Sequence, residues 1–373
     1  MTTKNSFSPA SGQVRYAVIG LGFISQDAVL PAFQNAPNSK LEVLVTGDSR
    51  KAEDLGAIYG VRTCSYEQYD ELLGSGDIDA VYIGLPNNMH CDFTVRAARA
   101  GVHVLCEKPL AETEEECEQM IEAAEQNQVK LMTAYRLHFE PANLWAINTV
   151  QEGRIGDLRI FHSVFSMQAA EGNTRLYKAL CGGSLFDLGV YCINAARYMF
   201  RDEPTEVSAW SLKSGDPRFR EVLETVSAML RFPGDRVASF TCSSGAAPTD
   251  MFEVVGSRGV LRLEPAIDYH QQMKSILVIG GKTEERVFMK QDQFGAELLY
   301  FSRCILKGEE PEPDGQEGLA DVRIIQAILK SAESGDIVPF KISARNRRPG
   351  MNQEIKLPPV EPPPRVNVMI PGP

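Results

Sequence analysis

The chain has 373 residues, of which 43% are apolar and 23% are charged, and its formal net charge at pH 7 is −11. A chain of this length can bury two hydrophobic cores, so we expect two domains. Nucleic-acid grooves and anionic membrane surfaces require clustered positive charge on the protein, which this acidic composition disfavours. We therefore predict no nucleic-acid partner and no membrane partner.

Cysteine usage and the first residues indicate the compartment. The eight cysteines are scattered, without the C-x-x-C spacing of zinc sites or a regular disulfide framework, so free thiols in a reducing compartment are the simpler interpretation. Residues 1–13 are polar and lack the apolar core of a secretory signal, and we find no later run long enough to span a bilayer. The sequence thus predicts a cytoplasmic protein without a metal site.

Short apolar runs alternate with helical patterns between residues 14 and 139. We predict strands over 14–20, 40–47, 79–86, 103–109 and 130–135, and helices over 24–36, 49–60, 89–101 and 112–128. Repeated strand and helix units of this kind are typical of a doubly wound parallel sheet, the Rossmann arrangement that binds dinucleotides. We therefore assign residues 14–139 to a nucleotide-binding Rossmann domain.

After residue 140 the predicted strands follow one another without intervening helices. They cover 158–167, 206–214, 224–233, 236–245, 251–257, 259–265 and 275–281, and two late amphipathic helices cover 293–308 and 318–335. This order indicates an open, mostly antiparallel sheet, so we predict that residues 140–340 form an α/β substrate and oligomerisation domain of the α+β type. Residues 341–373 are expected to form a proline-rich extended tail, either disordered or lying across a neighbouring subunit.

The stretch "VIGLGFISQ" lies at the first predicted strand-to-helix turn. It carries Gly20 and Gly22, the first two glycines of G-x-G-x-x-G, with Ser25 in the third place. The glycines let backbone N–H groups approach a pyrophosphate at a helix N-terminus, and a small serine can serve the helix packing of the third glycine. A structural turn without a ligand is the alternative. The position at the first turn favours a dinucleotide site, which also includes Phe23 and Ile24.

The residues after the second predicted strand indicate which dinucleotide binds. NAD enzymes usually place an acidic residue there for the ribose 2′-hydroxyl. Here Thr46 and Gly47 end the strand, and Arg50 and Lys51 follow, so that a hydroxyl and two cations are available for a 2′-phosphate. Asp48 argues the other way, and a solvated helix face would also explain the two cations. We predict NADP rather than NAD.

Two further motifs carry polar groups that suit catalysis. "CEKPL" leaves Glu107 and Lys108 at the carboxyl edge of the predicted sheet, where open α/β sheets bind ligands, although a surface cation is the alternative. In the helix predicted within "CGGSLFDLGVYCINAARYMF", Asp187, Tyr191 and Asn194 are spaced four and three residues apart and share one face. A buried Asp–Tyr hydrogen bond of purely structural role is the alternative, which the polar cluster on an otherwise apolar helix disfavours.

"GLGFIS", "EKP" and "GGSLFDLGVYCIN", in this order and at these separations, resemble the Gfo/Idh/MocA family of glucose–fructose oxidoreductases and inositol dehydrogenases. The resemblance covers residues 14–340. "LPNNMH", "YRLHFEP" and "EGLADVRIIQAI" are similar to the glucose–fructose oxidoreductase branch in particular. Inositol dehydrogenases of the family usually carry His where this chain has Tyr191, so the sugar-oxidising branch is the nearer relative.

The resemblance implies roles that the chemistry of the side chains permits. Lys108 would hydrogen-bond the reacting oxygen and, as a nearby cation, favour the phenolate of Tyr191, which would accept the hydroxyl proton. Asp187 would orient a sugar hydroxyl and Lys108, and Asn194 would add a polar contact. Further candidate substrate contacts are Tyr135, Arg136, His138, Tyr177 and Lys178. Further candidate cofactor contacts are Leu85, Pro86, Asn87, His90, Glu107, Lys108 and Arg136. A helix-capping role would explain His90 equally well.

The predicted function is an NADP-dependent sugar oxidoreductase that acts on an aldose or a related cyclic polyol carbon. A freely exchanging dehydrogenase and a coupled oxidoreductase that reduces a second sugar in the same site stay open as alternatives. A catalytically silent NADP-binding sensor or scaffold is disfavoured by the presence of both Lys108 and Tyr191. Apolar residues in "SAMLRF" and "VASFTC", together with the resemblance, predict a homodimer or homotetramer built sheet to sheet.

Overall fold

The computed structural model describes residues 12–180 and 182–369, which form two sheets with flanking helices. The predictions made for residues 1–11, for Cys181 and for residues 370–373 fall outside the described residues. The predicted fold class, a Rossmann sheet followed by a mostly antiparallel sheet, is confirmed.

The first sheet contains six parallel strands. They are β1 (Val14–Ile19), β2 (Ser39–Val45), β3 (Arg62–Cys64), β4 (Ala80–Ile83), β5 (His103–Cys106) and β6 (Leu131–Thr133). Their spatial order is β3-β2-β1-β4-β5-β6, so the order of strands reverses between β1 and β4. The sequence did not predict β3, because three residues at a sheet edge carry no readable periodicity.

Helices cover both faces of this sheet. A π-helical turn (Ser25–Val29) leads into α1 (Leu30–Ala32), and the later helices are α2 (Ser49–Tyr59), α3 (Tyr69–Gly74), α4 (His90–Arg99) and α5 (Glu114–Gln126). Side-chain caps determine where two of them begin. Asp48 accepts backbone N–H bonds at the start of α2, and Thr113 and Glu116 form a capping box at the start of α5.

The second sheet contains nine strands and is antiparallel except for one pair. The strands are β7 (Leu158–Gln168), β8 (Glu206–Leu212), β9 (Thr225–Phe232), β10 (Arg236–Ser243), β11 (Gly245–Gly256), β12 (Gly259–Leu263), β13 (Met273–Ile279), β14 (Lys282–Phe288) and β15 (Val338–Pro339). Their order is β14-β13-β12-β11-β7-β10-β9-β8-β15, and β7 and β10 are the parallel pair. Strand β14 was not predicted, because six of its seven residues are exposed and carry no apolar alternation.

Helices that follow residue 140 cover one face of the second sheet. They are α6 (Pro141–Gln151), a π-helical turn (Leu185–Gly189) that continues into α7 (Val190–Phe200), and α9 (Gly315–Ser334), whereas α8 (Gln293–Lys307) packs elsewhere. Residues of α6, α7 and α9 share one apolar core with the inner face of the second sheet. The sequence did not predict α6, because its residues are buried almost all round and show no amphipathic period.

Helix α8 packs against the first sheet, although it follows the second sheet in the chain. Phe301 belongs to the same apolar cluster as Val14 and Tyr16 of β1. The Tyr16 hydroxyl also lies 2.8 Å from the Ser302 hydroxyl. The core of the first sheet therefore extends beyond the predicted domain range of 14–139.

Arg197 on α7 is fully buried and is paired with three carboxylates. Its guanidinium donates to Glu203 at 2.6 Å, to Glu317 at 2.8 Å and to Asp321 at 2.7 Å. Burial opposes ionisation of Glu317, but the charges of Arg197 and Arg345 hold the pKa of that carboxyl below its ordinary value. Because Glu317 and Asp321 lie on α9, this buried network joins α9 to α7.

One expectation about membrane spans is wrong. Within the described residues, the helical run 178–200 is long and apolar enough to cross a membrane by length and composition. The most apolar part of this run is 71% buried inside the protein, however, because α7 packs against the second sheet and against the helices α6 and α9. The apolar composition of this run is explained by burial in the core.

The described part of the predicted tail lies against its own chain and is not disordered. Residues 341–369 contain no helix or strand apart from a 3₁₀ turn at Met351–Gln353. Arg345 donates to Asp314 at 2.7 Å, and Val366 is only 9% exposed. These contacts place the segment against the start of α9 and the core of the first sheet.

Replacing Arg197 by Met is expected to lower the free energy of unfolding by about 3–5 kcal/mol, because Asp321 stays buried without the cation that faces it, while Glu317 and Glu203 keep only Arg345 and Arg348. Urea denaturation at neutral pH measures the change. The matched control is Arg231→Met, which removes a side chain that is 59% exposed and should cost less than about 1 kcal/mol. Equal losses in the two variants would contradict the role assigned to Arg197.

Candidate active site

A cavity of about 1250 Å³ opens at the carboxyl ends of β1 and β4, where the strand order of the first sheet reverses. Doubly wound sheets bind their ligands at this point. The loops of the first sheet line one part of the cavity. Residues within 165–191, 248–250, 264–271, 290–294 and 359–369 line the rest.

The glycine loop has the backbone geometry of a phosphate site. Gly20 has φ 88°, in the left-handed region, and a Cβ there would lie 2.7 Å from the carbonyl oxygen of the facing loop, so only glycine fits. Gly22 lines the cavity and has no atom within 4 Å of the place of a Cβ, which leaves its backbone open to a ligand. Ser25 Oγ donates to the Gly20 carbonyl oxygen at 2.7 Å and stabilises the turn. The predicted contacts Phe23 and Ile24 also line the cavity.

The end of β2 brings Thr46 and Lys51 to the cavity, but not Arg50 or Gly47. Lys51 is half-buried, and burial lowers its pKa. The Arg50 side chain is 74% exposed and lies 3.5 Å from Asp54. Successive residues of a helical turn point about 100° apart, so the two cations do not face the same way. The predicted cofactor contacts at Arg50 and Gly47 are thereby corrected.

The carboxylate of Asp48, whose position after the second strand favoured NAD, is hydrogen-bonded to other groups of the same chain. One oxygen accepts the backbone N–H groups of Arg50 at 3.0 Å and Lys51 at 3.1 Å. The other oxygen accepts a hydrogen bond from the side-chain amide of Asn367. These contacts engage both oxygens of Asp48 in the folded chain.

These features fit a phosphorylated dinucleotide. The glycine loop presents backbone N–H groups at a helix start, and Thr46 and Lys51 supply a hydroxyl and a cation for a phosphate. The predicted contacts Leu85, Pro86 and Asn87 line the cavity after β4. Among residues 12–180 and 182–369, no group of three or more His, Cys, Asp or Glu side chains is arranged to hold a metal ion.

Glu107 and Lys108 extend β5 into the cavity. The buried Tyr82 hydroxyl donates to Glu107, which attaches this carboxylate to the sheet. Lys108 Nζ donates to the Asp187 backbone oxygen at 3.0 Å and to the Asp187 carboxylate at 3.2 Å. This contact joins the first sheet to the helix of the second domain inside the cavity.

Asp187 is held between two cations. Arg175 forms an ion pair with one carboxylate oxygen, and Lys108 contacts the other. Burial by itself raises the pKa of Asp187, but the charges of Arg175 and Lys108 hold it at about 2. Burial likewise opposes protonation of Lys108, but Tyr191 and Asp187 raise its pKa above the ordinary value. At neutral pH Asp187 is therefore a weak base that orients a charged Lys108.

Tyr191 begins the second turn of this helical region and lines the cavity beside two cations. Lys108 Nζ lies 4.6 Å and Arg136 Cζ lies 5.1 Å from the centroid of its ring. Arg136 is 5% exposed, and its guanidinium also donates to the Gln293 side chain. Tyr191 therefore lies in the cavity with two cations at its ring, a position that suits a proton acceptor.

Three predicted substrate contacts, Tyr135, His138 and Asn194, are buried outside the cavity lining. The Tyr135 hydroxyl donates to Asp321 at 2.6 Å. The two ring nitrogens of His138 lie 2.7 Å from Glu312 and 2.8 Å from Asn194. Carboxylates of α9 and of the loop before it occupy this region, so these side chains belong to the buried network. The prediction of substrate contact is corrected for all three.

His90 is also buried outside the cavity lining, so the predicted cofactor contact is corrected. Its two ring nitrogens each lie 3.0 Å from a backbone oxygen, one of Leu85 and the other of Pro109. The ring thereby connects the loop after β4 to the loop that carries Lys108. His90 acts on the site by positioning these two loops.

Arg175 is the site residue that the sequence analysis missed. It lies two residues before Tyr177, which is 43% exposed and, like Lys178, does not line the cavity. Arg175 lies within the 3₁₀ turn Thr174–Leu176 and pairs with Asp187, whereas Tyr177 and Lys178, which were predicted to contact the substrate, lie outside the cavity lining. No motif distinguishes these polar residues within "TRLYK". The loop 268–271 and residues within 359–369 also line the cavity without a sequence signal for that position.

Comparison with known proteins agrees with this geometry. Residues 14–135 match the oxidoreductase family with an NAD-binding Rossmann fold (GFO_IDH_MocA), and residues 144–262 match the GFO/IDH/MocA C-terminal domain. A D-xylose 1-dehydrogenase (NADP(+)) of Haloarcula marismortui is 32% identical over 334 residues, which cover 87% of this chain and 92% of that protein.

Two solved structures show the same architecture. An aldose-aldose oxidoreductase from Caulobacter crescentus has a TM-score of 0.84 and 36% identity, and the match covers 88% of this chain and 100% of that one. A 3-ketoreductase from Actinomadura kijaniata, solved with NADP and TDP-benzene, has a TM-score of 0.80 and 27% identity, over 86% of this chain and 98% of that one. Both family domains match in chain order, and the chain therefore belongs to the Gfo/Idh/MocA family of oxidoreductases.

Proposed function

We propose that this protein is an NADP-dependent sugar oxidoreductase that acts on the CH–OH group of an aldose or a related cyclic polyol. The observation that carries the proposal is Tyr191, which lines the cavity beside Lys108 and Arg136. The relatives support the substrate class, since one is named as a D-xylose dehydrogenase and another as an aldose-aldose oxidoreductase. The cofactor is NADP, for which Thr46 and Lys51 supply a hydroxyl and a cation.

NADP, when bound, supplies the nicotinamide that accepts a hydride. The side chains of this protein supply the proton chemistry. Lys108 donates a hydrogen bond to the reacting hydroxyl oxygen, and Tyr191 takes the hydroxyl proton as the C–H bond breaks and the carbon becomes a carbonyl carbon. Asp187 holds Lys108 in place and charged. In the reverse direction Tyr191 returns the proton to the sugar oxygen.

Two reaction schemes use these same side chains. In a freely exchanging dehydrogenase the reduced cofactor would be replaced by NADP after each turnover, whereas in a coupled, glucose–fructose oxidoreductase-like enzyme a second sugar would be reduced in the same site before the cofactor is exchanged. Incubation of purified protein with two sugars and no added NADP separates them. Conversion of both sugars would support the coupled scheme, and conversion that requires added NADP would support exchange.

A catalytically silent NADP-binding sensor or scaffold on the same fold is the alternative. Such a protein has no need for a tyrosine flanked by two cations in its cavity. Absorbance in the reduced nicotinamide band, followed after NADP is mixed with a panel of aldoses, decides between them. No change with any sugar would favour the sensor.

Replacing Tyr191 by Phe is expected to lower turnover by about 100-fold or more, because the proton acceptor is lost while the ring remains. NADPH binding, measured by fluorescence titration, should stay within about 2-fold of the parent, since only one hydroxyl is removed. The matched control is Tyr177→Phe, which removes the hydroxyl of an exposed tyrosine outside the cavity lining. Near-parental turnover in Tyr191→Phe would contradict the assignment.

Replacing Lys51 by Ala is expected to weaken NADP binding by about 10-fold or more, with a smaller effect on NAD, because the lost cation serves the 2′-phosphate. Arg50→Ala is the control, since Arg50 is the neighbouring cation that faces solvent. Titration of both cofactors against both variants measures the difference. A larger loss of NADP affinity in Arg50→Ala than in Lys51→Ala would mean that Arg50 recognises the 2′-phosphate.

We further propose that the protein forms homodimers or homotetramers through the second sheet. Its outer face, opposite the covering helices, exposes Ile160 on β7, Trp210 and Leu212 on β8, and Met229 on β9. Each of these side chains is more than 40% exposed, and several large apolar side chains exposed on one sheet face favour coverage by a partner. A cytoplasmic location, and the absence of nucleic-acid and membrane partners, stay predictions from composition.

The double variant Trp210→Glu with Met229→Glu is expected to shift the protein toward the 41.2 kDa monomer, because buried charges destabilise an apolar interface. Light scattering coupled to size exclusion measures the mass. Ile58→Glu on α2 is the control, since Ile58 is 46% exposed but lies away from the second sheet. A parent protein that is monomeric at working concentration would contradict the assembly.

A further inference from the structure

Residues 357–369, the proline-rich segment, cross one side of the cavity next to the glycine loop. Eight of these thirteen residues line the cavity. The family match to the C-terminal domain ends at residue 262, so this segment lies outside both matched ranges. Part of the wall of the cofactor cavity is therefore formed by residues that lie outside the two matched family domains.

One end of the segment is attached to the helix that follows the glycine loop. Gln26 Nε2 donates to the Val366 backbone oxygen at 3.0 Å, and the Val366 N–H donates to Gln26 Oε1 at 2.8 Å. The amide side chain thus pairs with the segment as a neighbouring strand would. Val366 is 9% exposed and packs in the core of the first domain. The next residue, Asn367, donates to the carboxylate of Asp48.

Asp27 joins the segment to the second domain. Its carboxylate forms an ion pair with Arg365 on the segment. The same carboxylate accepts a hydrogen bond from the Tyr269 hydroxyl at 3.0 Å and lies 2.9 Å from His270 Nε2. The Asp27 side chain is 4% exposed. One buried carboxylate therefore connects three parts of the chain around the cavity.

The other end of the segment is attached separately. The Leu357 backbone oxygen accepts the Asp292 N–H at 3.1 Å, and the Pro358 backbone oxygen accepts the Asn35 side-chain amide at 2.7 Å. Between the two attachments lie four prolines, which restrict the backbone to extended conformations. A stiff span that is attached at both ends moves away from the cavity only when one attachment breaks.

We propose that the proline-rich segment is a strap that holds bound NADP in the cavity and limits the rate at which it leaves. This inference rests on the proposed function, since NADP is the ligand that it needs. The segment borders a cavity of about 1250 Å³ without filling it, so the strap and a dinucleotide fit together. Opening at this end of the segment requires Arg365, Val366 and Asn367 to separate from Asp27, Gln26 and Asp48. Slow release keeps one cofactor through an oxidation and the reduction that follows, which favours the coupled scheme.

The test measures the release of NADPH directly. Full-length protein loaded with NADPH is mixed with excess NADP in a stopped-flow fluorimeter, and the fall in NADPH fluorescence gives the dissociation rate constant. In Arg365→Glu a carboxylate replaces the cation that faces Asp27, and we expect release to be at least about 10-fold faster. The matched control is Lys356→Glu, which makes the same charge change just before the segment, at a side chain that is 61% exposed and paired with Glu354. It should release NADPH at the parental rate.

A second variant tests the other contact. Asn367→Asp places a carboxylate beside Asp48, so it should also accelerate release, while circular dichroism and the melting temperature report whether each variant is folded. If Arg365→Glu does not fold, Arg365→Ala removes the ion pair without adding a charge and is expected to act in the same direction.

The outcomes separate the strap from the proposed function. Parental release rates in both segment variants, or equal acceleration in Lys356→Glu, would overturn the strap even if sugars are oxidised. Faster release in the segment variants alone would support the strap, even if no sugar is oxidised and the proposed activity fails. A parent protein that does not bind NADPH would overturn both proposals.

Discussion

The buried guanidinium of Arg197 is the interaction on which the geometry of the site depends. Its charge compensates the burial of three carboxylate partners, because a buried charge that loses its hydration needs a cation beside it. Arg345 and Arg348 add to this charge at Glu317 and Glu203. Two of these partners lie on α9, which also approaches the first sheet so closely that a Cβ on Gly318 would lie 2.6 Å from the Leu110 Cβ. Helix α7 and the loop that carries Lys108 are thus held against one helix, and this allows Lys108 to meet Asp187 across the domains.

The cavity places a few cations among lining carboxylates that include Asp27, Glu107 and Asp187. Lys51, Lys108, Arg136 and Arg175 line it, although the chain carries a net charge of −11. Charges that face a cavity with protein walls interact more strongly than charges in water. Lys51 lies near the glycine loop, where a phosphate would bind, and two others lie beside the Tyr191 ring. The positions of a few cations in the cavity therefore matter for the proposed cofactor and substrate chemistry. The net charge of the whole chain indicates only which classes of partner are disfavoured.

The chain builds the wall of its cofactor cavity partly from residues that are very distant in sequence. Gln26 and Val366 are 340 positions apart, yet they exchange two hydrogen bonds. Prolines reduce the conformational freedom that a segment loses when it becomes ordered, so an extended run without a helix or a strand can hold a defined position. Because the segment belongs to the same chain as the glycine loop, this part of the wall forms without a partner subunit.

Local patterns in the sequence determined the order of most elements, the glycine turn and the motifs that carry Lys108 and Tyr191, because these depend on periodicity, backbone preference and helical spacing. Short or fully buried elements such as β3 and α6 lacked such a pattern. Only the tertiary structure decided that Lys51 and not Arg50 faces the cavity, and that His138 is enclosed by a carboxylate 174 positions away. These choices follow from how distant helices and loops pack around each side chain, which no local stretch of sequence specifies.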